Sequence, residues 1–573
     1  MSRPVDFGAE FDANRFVGEP TDPLDERIEV GVLVVGGGPA GLACAIRFGQ
    51  LLEEHPDIAE RLGDVPLAVV EKGKQPGSHL LSGAVIRSAA LERLFAGDGG
   101  LDDMPNYGRV GNEQVYVLTR DRALPIPTPP PMRNHGNVIV SLSQVGRWMA
   151  ERAEAGGAML LPETAAVQLL VERGEVVGVR TGDKGRGAEG EELRNFEPGS
   201  DLVARVTVLA EGTQGHLTNV ALDHFGLRGD AAPQVWELGV KEVWKVPQPL
   251  GRMIHTMGWP LRPQAKYREF GGSFVYPMGD DMVAVGMVVG LDYRDPGLNP
   301  HDLLQRLKTH PTIRPILEGG ERIEWGAKTI PGGGLHALPN RFHAPGLLLC
   351  GDGVGMVNVP TLKGVHYAVE SGRLAAEAAF AALSQTADDV PVPDAALASY
   401  DDAVRASFIW DELHEVRDLR QVFGRGFFVG GALGVVNTIT KGRVSIGSMR
   451  TEPDDEQPLL SLDDGAPERA APKIVHDGVL TFDRLSSVFA CGNKTRDEQP
   501  NHLLVRTRVA PDVAELWANL CPAQVYTAGP MGDDGLVEVE VAPSNCVQCG
   551  AISAKGGRLT PPEGGSGPEY WQS

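Results

Sequence analysis

The sequence predicts an α/β fold: a doubly wound, Rossmann-like nucleotide-binding domain, interrupted by an antiparallel sheet and followed by a smaller C-terminal domain. Three stretches carry this reading. Residues 30–71 run strand, glycine turn, helix, strand, acid. Leu347 to Asp352 is a second buried strand ending in Gly-Asp before a long helix. Residues 234–291 alternate apolar and polar side chains.

In the first stretch Val32-Leu33-Val34-Val35 is an apolar strand, and Gly36, Gly38 and Gly41 fit G-x-G-x-x-G. The first glycine permits the tight turn, the second lets backbone approach a pyrophosphate, and the third lets helix pack on strand. Pro39 and Ala40 open a helix reaching about Leu52, and its free N–H groups and dipole favour phosphate. The second strand, Pro66 to Val70, ends in Glu71, whose carboxylate can accept hydrogen bonds from a ribose hydroxyl. Strand, turn, helix, strand and acid in this order make an ADP-binding unit. The loop from Lys72 to Ala84, with Ser82 and Gly83, is placed to run beneath the cofactor.

The second stretch decides between cofactors. A strand ending in Gly351-Asp352 accompanies the opening unit in two-domain flavoproteins. Asp352 can bond a ribityl chain, and a helix starting near Pro360 can point its positive end at the flavin. FAD is therefore expected rather than NAD. Between the two stretches lie a helix over 141–156, strands near 158–161 and 167–171, an exposed hairpin over 182–201, and a strand from Asp201 into a glycine turn at Ala210–Gly215. The expected division is a polar lead-in (1–28), an FAD domain (29–235 with 330–450), an antiparallel substrate domain (236–329) and a C-terminal domain (451–573).

The net charge of −23 speaks against nucleic acid and against broad adhesion to anionic lipid, so any membrane contact should be local and apolar. The acidic first 27 residues lack the basic and apolar regions of a signal peptide, and no apolar run reaches the roughly 18 residues of a spanning helix. Of six cysteines, Cys44 and Cys350 fall in core positions. The other four, Cys491, Cys521, Cys546 and Cys549, lie in the tail, the last two as C-x-x-C. Thiols so spaced suit an iron–sulfur cluster, a zinc ion or a structural pair.

With these motifs on the page, the chain resembles the electron transfer flavoprotein–ubiquinone oxidoreductase family. The resemblance runs through Ala210-Glu211-Gly212, Leu238-Gly239-Val240-Lys241-Glu242-Val243-Trp244, Gly271-Gly272-Ser273-Phe274, Asp497-Glu498-Gln499-Pro500, Cys521-Pro522-Ala523 and Pro562-Glu563-Gly564-Gly565. It implies FAD, a 4Fe–4S cluster in a C-terminal ferredoxin-like domain, and a monotopic position on a membrane, for which the composition and the lack of a signal peptide predict the cytoplasmic face. Electron transfer flavoprotein is the implied donor, and ubiquinone or menaquinone the acceptor. It places the quinone head group at Gly271 and Gly272 and membrane contact at 423–440, flanked by Arg420, Arg425, Lys441 and Arg443. Cys521, Cys546 and Cys549 take three places of its cysteine pattern, but the fourth holds Ile552, which leaves three readings: Cys491 or a non-cysteine group as fourth ligand, a three-iron cluster, or a site that is empty or zinc-filled. No side chain is expected to act as nucleophile or general acid. The alternative reading is an FAD-dependent reductase or hydroxylase of a lipid-like substrate, its cysteines structural or zinc-filled.

Overall fold

The computed structural model describes residues 2–573 except 25, 84, 98, 388–389, 441–450 and 463–473. Its first sheet is built around Ile28–Val35, buried from Val30 onward. Leu67–Val70 and Asp201–Leu209 pair with it in parallel on either side. Met159–Leu161 lies beyond the first of these, and Leu347–Leu349 and Glu175–Thr181 share the far edge of the second. Such unbroken apolar strands belong to parallel sheets covered on both faces. The helices Pro39–Glu54 and Val365–Gln385 pack so closely that a Cβ on Gly372 would collide with the Ala40 carbonyl. Cys44 and Cys350 are buried in this core.

The helix expected from Pro360 begins at Val365 instead. Asn358 caps a separate short turn, its side chain accepting from the Thr361 N–H at 3.1 Å, and Leu362 (φ 56°) is left-handed, which no α-helix continues through.

The second sheet runs Glu321–Pro331, Trp236–Lys245, Met282–Gly290, Gly271–Met278, Met253–Gly258, Glu113–Leu118, Ala123–Ile126. Two of its strands come from ahead of residue 236, and Glu113–Leu118 runs parallel to Met253–Gly258, so the sheet is mixed rather than antiparallel throughout. The C-terminal segment contributes the helices Arg484–Ala490 and Pro511–Leu520 and a sheet of Arg508–Val509, Val537–Val541 and Tyr526–Met531. Its Trp517 shares one apolar core with Trp244 and Trp325 of the second sheet. The lead-in is built into the fold: Val17–Gly18 joins the first sheet beside Leu169–Leu170, and the Ala9 N–H donates to the Gly556 carbonyl at 2.7 Å.

Phe427–Thr440 is a helix with an unusual surface. Val429, Val435, Val436 and Ile439 are 53%, 58%, 44% and 76% exposed, and their spacing puts them on one face. Gly430, Gly434 and Asn437 are buried on the other. Among the described residues no helix is long and apolar enough to cross a membrane. Arg420 is not at the protein's outer surface as expected. It is buried, donating to Glu237 at 3.0 Å and Asp292 at 2.8 Å, because those carboxylates are themselves inside the fold and need a counter-charge. Phe423 packs against Phe270, with ring centroids 5.3 Å apart. Lys441 and Arg443 lie outside the described residues, as does the Arg425 side chain.

Candidate functional site

One large cavity lies where the two sheets and the C-terminal segment meet. Gly36, Gly38, Pro39, Ala40, Glu71, Lys72, Ser82, Gly83 and Asp352 all line it. Gly36 sits at φ +111°, and a Cβ there would lie 2.5 Å from the Ala210 carbonyl oxygen. Gly41 does not reach the cavity; a Cβ on it would overlap the Gly36 carbonyl, so it sets the helix against the turn. Gly38 ends the turn with only Leu80 near its empty Cβ position, leaving the cavity side open to a ligand. Glu71 is held at the mouth of the turn, accepting from the Gly37 N–H at 2.8 Å and the Gly73 N–H at 2.6 Å. Gly351, at φ +68°, donates its N–H to Ser371 Oγ at 3.1 Å and so presents Asp352 to the cavity. Burial pushes Asp352 up to about 6, against the pull of Lys328.

Several residues that sequence reasoning did not single out converge on the same space. Lys241, Lys328, Gln214, His216 and Gln548 all line it. Lys241 Nζ, Gln214 Nε2 and both His216 ring nitrogens are buried without a hydrogen-bond partner. Orphaned polar atoms facing one cavity fit a polar ligand that supplies their partners. Burial brings Lys241 and Lys328 each down to about 8, and Lys72 adds its repulsion to Lys328. The cavity thus combines a phosphate-ready helix start with cationic side chains in its wall, which suits FAD. Alternation marks Lys241 as a strand residue but does not say which face of the sheet meets the cofactor.

Cys521, Cys546 and Cys549 line a second, smaller cavity whose remaining wall is apolar apart from the Tyr526 phenol. Cys521 caps the helix Pro511–Leu520, and Cys546 follows the turn Pro543–Asn545. Backbone N–H groups of Val525 and Gln548 each donate to a sulfur at 3.4 Å. Burial raises all three thiols, and Cys546 and Cys549 are raised further by neighbouring thiols, as expected of sulfurs facing one another. A zinc ion would draw tetrahedral sulfurs to about 3.8 Å of one another. Among the described residues the three ligand atoms that lie within 4.8 Å of one another are those of His301, Asp302 and His476. Ile552 occupies the wall of this cavity, whereas Cys491 lies elsewhere and bonds the Val488 carbonyl at 3.0 Å.

The two cavities share a wall. Leu559 lines both. The Cys549 carbonyl accepts from the N–H and the hydroxyl of Thr329, both at 2.8 Å, and Thr329 lines the larger cavity. Lys328 donates to the Gln548 carbonyl at 3.1 Å, and Gln548 adopts the left-handed conformation (φ 53°) between the two cysteines. Gly271 and Gly272 do not line the larger cavity. They begin a strand in which a Cβ would meet Val288 O or Thr256 O. Phe274, on the same strand, does line it.

Comparison with known proteins gives matches over two ranges of the chain. Residues 236–330 match the family model described as ETF-QO, ubiquinone-binding. Residues 478–571 match that of electron transfer flavoprotein-ubiquinone oxidoreductase, 4Fe-4S. Mitochondrial electron transfer flavoprotein-ubiquinone oxidoreductases are similar over nearly the whole chain. That of Rattus norvegicus is 38% identical, covering 95% of this chain and 89% of its own. That of Arabidopsis thaliana is 36% identical, with 96% and 85% covered. Among solved structures, a geranylgeranyl bacteriochlorophyll reductase-like protein from Thermoplasma acidophilum shares the fold, with a TM-score of 0.54 at 17% identity over 78% of this chain and 97% of that one.

Proposed function

The chain belongs to the electron transfer flavoprotein–ubiquinone oxidoreductase family, and from that premise we propose how its residues connect donor, cofactors and quinone. It is an oxidoreductase that passes electrons from reduced electron transfer flavoprotein to ubiquinone. When bound, FAD and the iron–sulfur cluster supply the redox chemistry; the protein holds, insulates and tunes them. Gly36, Gly38, Pro39 and Ala40 would hold the pyrophosphate, Glu71 the ribose and Asp352 the ribityl chain. Lys241 and Lys328 supply positive charge where negative charge gathers on reduction. Cys521, Cys546 and Cys549 would hold the cluster, with two N–H donors to sulfur adjusting its potential.

The observation that carries this reading is the bond from the Thr329 strand to the Cys549 carbonyl, which fixes the cysteine loop on the wall of the flavin cavity. The exposed face of Phe427–Thr440 supports a monotopic seat on a membrane, apolar and local as an acidic protein requires; the cytoplasmic side is our reading of the composition. Phe423, just ahead of that helix, packs on Phe270, which leads directly into Gly271 and Gly272. A quinone arriving from lipid beside the helix would meet that glycine pair before Phe274 and the flavin cavity. The test is anaerobic: protein with reduced electron transfer flavoprotein and a short-chain ubiquinone should form quinol, while NAD(P)H should not be consumed. Consumption of NAD(P)H without quinol would turn the reading toward a flavin reductase.

A further inference from the structure

We propose that the iron–sulfur cluster of this chain is bound through three thiolates only, Cys521, Cys546 and Cys549, with its fourth corner capped by Ile552 and given no protein ligand. This rests on the cluster reading above and concerns this chain's departure from the family pattern. The cavity the three sulfurs share is completed by Leu503, Leu520, Val525, Ile552 and Leu559 among others. Beyond the thiols its walls carry no carboxylate, imidazole or further cysteine side chain among the described residues, and the Tyr526 phenol oxygen is a far weaker donor to iron than a thiolate. Ile552 is 6% exposed, in the short turn Ala551–Ala554 directly after the C-x-x-C loop, and a Cβ on Gly557 would collide with it.

The one other tail cysteine is turned away. Cys491 closes the helix Arg484–Ala490, is buried, and gives its S–H to the Val488 carbonyl. Its electrostatic neighbours are Glu324 and Tyr570 rather than the cysteine trio. Using it as the fourth ligand would require breaking that bond and unwinding the end of a packed helix. Ile552 is a poor substitute of another kind: an aliphatic side chain excludes water from the corner but offers no lone pair. The iron there would be the weakest held.

The test uses full-length protein purified anaerobically, with iron, acid-labile sulfide and flavin assayed and low-temperature EPR recorded before and after one equivalent of ferricyanide. In the expected result wild type releases one iron per cluster. Fe2+ leaves and one electron passes to ferricyanide, so a 4Fe–4S core of charge 2+ becomes a 3Fe–4S core of charge 1+ with its oxidised-state EPR signal. Ile552→Cys retains all four irons and stays silent under the same treatment. Cys491→Ala behaves as wild type. Protein that already carries three irons and that signal on isolation supports the proposal equally. Wild type that keeps four irons through the treatment overturns it. So does Cys491→Ala losing iron where wild type does not, since Cys491 would then be a ligand. Full flavin with no iron or sulfide in any sample overturns the cluster assignment itself rather than its coordination. Should Ile552→Cys fail to fold, wild type and Cys491→Ala still decide between these outcomes.

Discussion

Lys241 shows what a single residue contributes that its neighbours in sequence do not reveal. It stands in an alternating strand, buried in the cavity wall with no partner for its ammonium. A reduced, negatively charged flavin would supply that partner, and a charge-assisted hydrogen bond is worth about 1.5–3 kcal/mol. Lys241→Met should therefore lower the flavin midpoint potential by about 30 mV or more, since 30 mV is about 1.4 kcal/mol for two electrons, as read by a spectroscopic redox titration. The flavin-free protein makes a second prediction. Burial holds Lys241 at about 8 when folded, against 10.5 when free. Between those values the unfolded chain binds more protons than the folded one, so stability rises with pH across that window, and the penalty is full below pH 8. Thermal melts of wild type minus Lys241→Met should show the gap closing from pH 8 to 10.5, by about 3 kcal/mol at most. At this scale Glu71 was legible because it ends a strand after a glycine motif. Lys241, Lys328, His216 and Gln548 were not, because they reach the cavity from strands and loops far apart in the chain.

Elements make their own predictions. Gly41→Ala would place a methyl on the Gly36 carbonyl, forcing the first helix off its strand. Overpacking of this kind costs about 1–3 kcal/mol, and flavin content after purification should fall with it. The helix Phe427–Thr440 exposes Val435 and Ile439 on one face, so Val435→Glu with Ile439→Glu should leave the melting temperature within a degree or two and abolish flotation with quinone-containing liposomes. Unchanged flotation would remove this helix from the membrane seat. Periodicity located the helix Leu142–Ala155 with its Ser141 cap, but it did not mark His216–His224 or Pro511–Leu520. It misplaced the helix start at Pro360, because a proline that can open an α-helix can equally open an isolated turn when a capping Asn stands two residues ahead.

At the scale of the whole molecule the pieces are tied by buried charge. Arg420 follows the helices Ser399–Ala406 and Phe408–Glu415 and precedes the exposed helix, yet its guanidinium is locked to Glu237 in the second sheet and to Asp292 just beyond the strand Met282–Gly290. Arg420→Ala would strand two buried carboxylates, and breaking a buried pair by removing one partner costs about 3–5 kcal/mol. Chemical denaturation should show that loss, while the exposed-face double variant shows none. The C-terminal segment is fixed in the same way: its tail threads back so that the Tyr570 N–H donates to the Ser78 carbonyl and Trp571 N–H to Glu324, at 2.9 and 2.6 Å.

The sequence by itself determined the nucleotide-binding unit, the choice of flavin and the three-cysteine pattern with Ile552 in the fourth place. Each of these is a short-range order of residue types, and local geometry follows directly from such order. Only the tertiary structure decided which lysines face the flavin cavity, that Cys491 points away from the other thiols, that Arg420 is an interior counter-ion, and that the cysteine loop is bonded to the flavin wall through Thr329. Those facts depend on which surfaces meet when separate sheets pack. Packing is set by burial summed over the whole chain, and no window of sequence contains it.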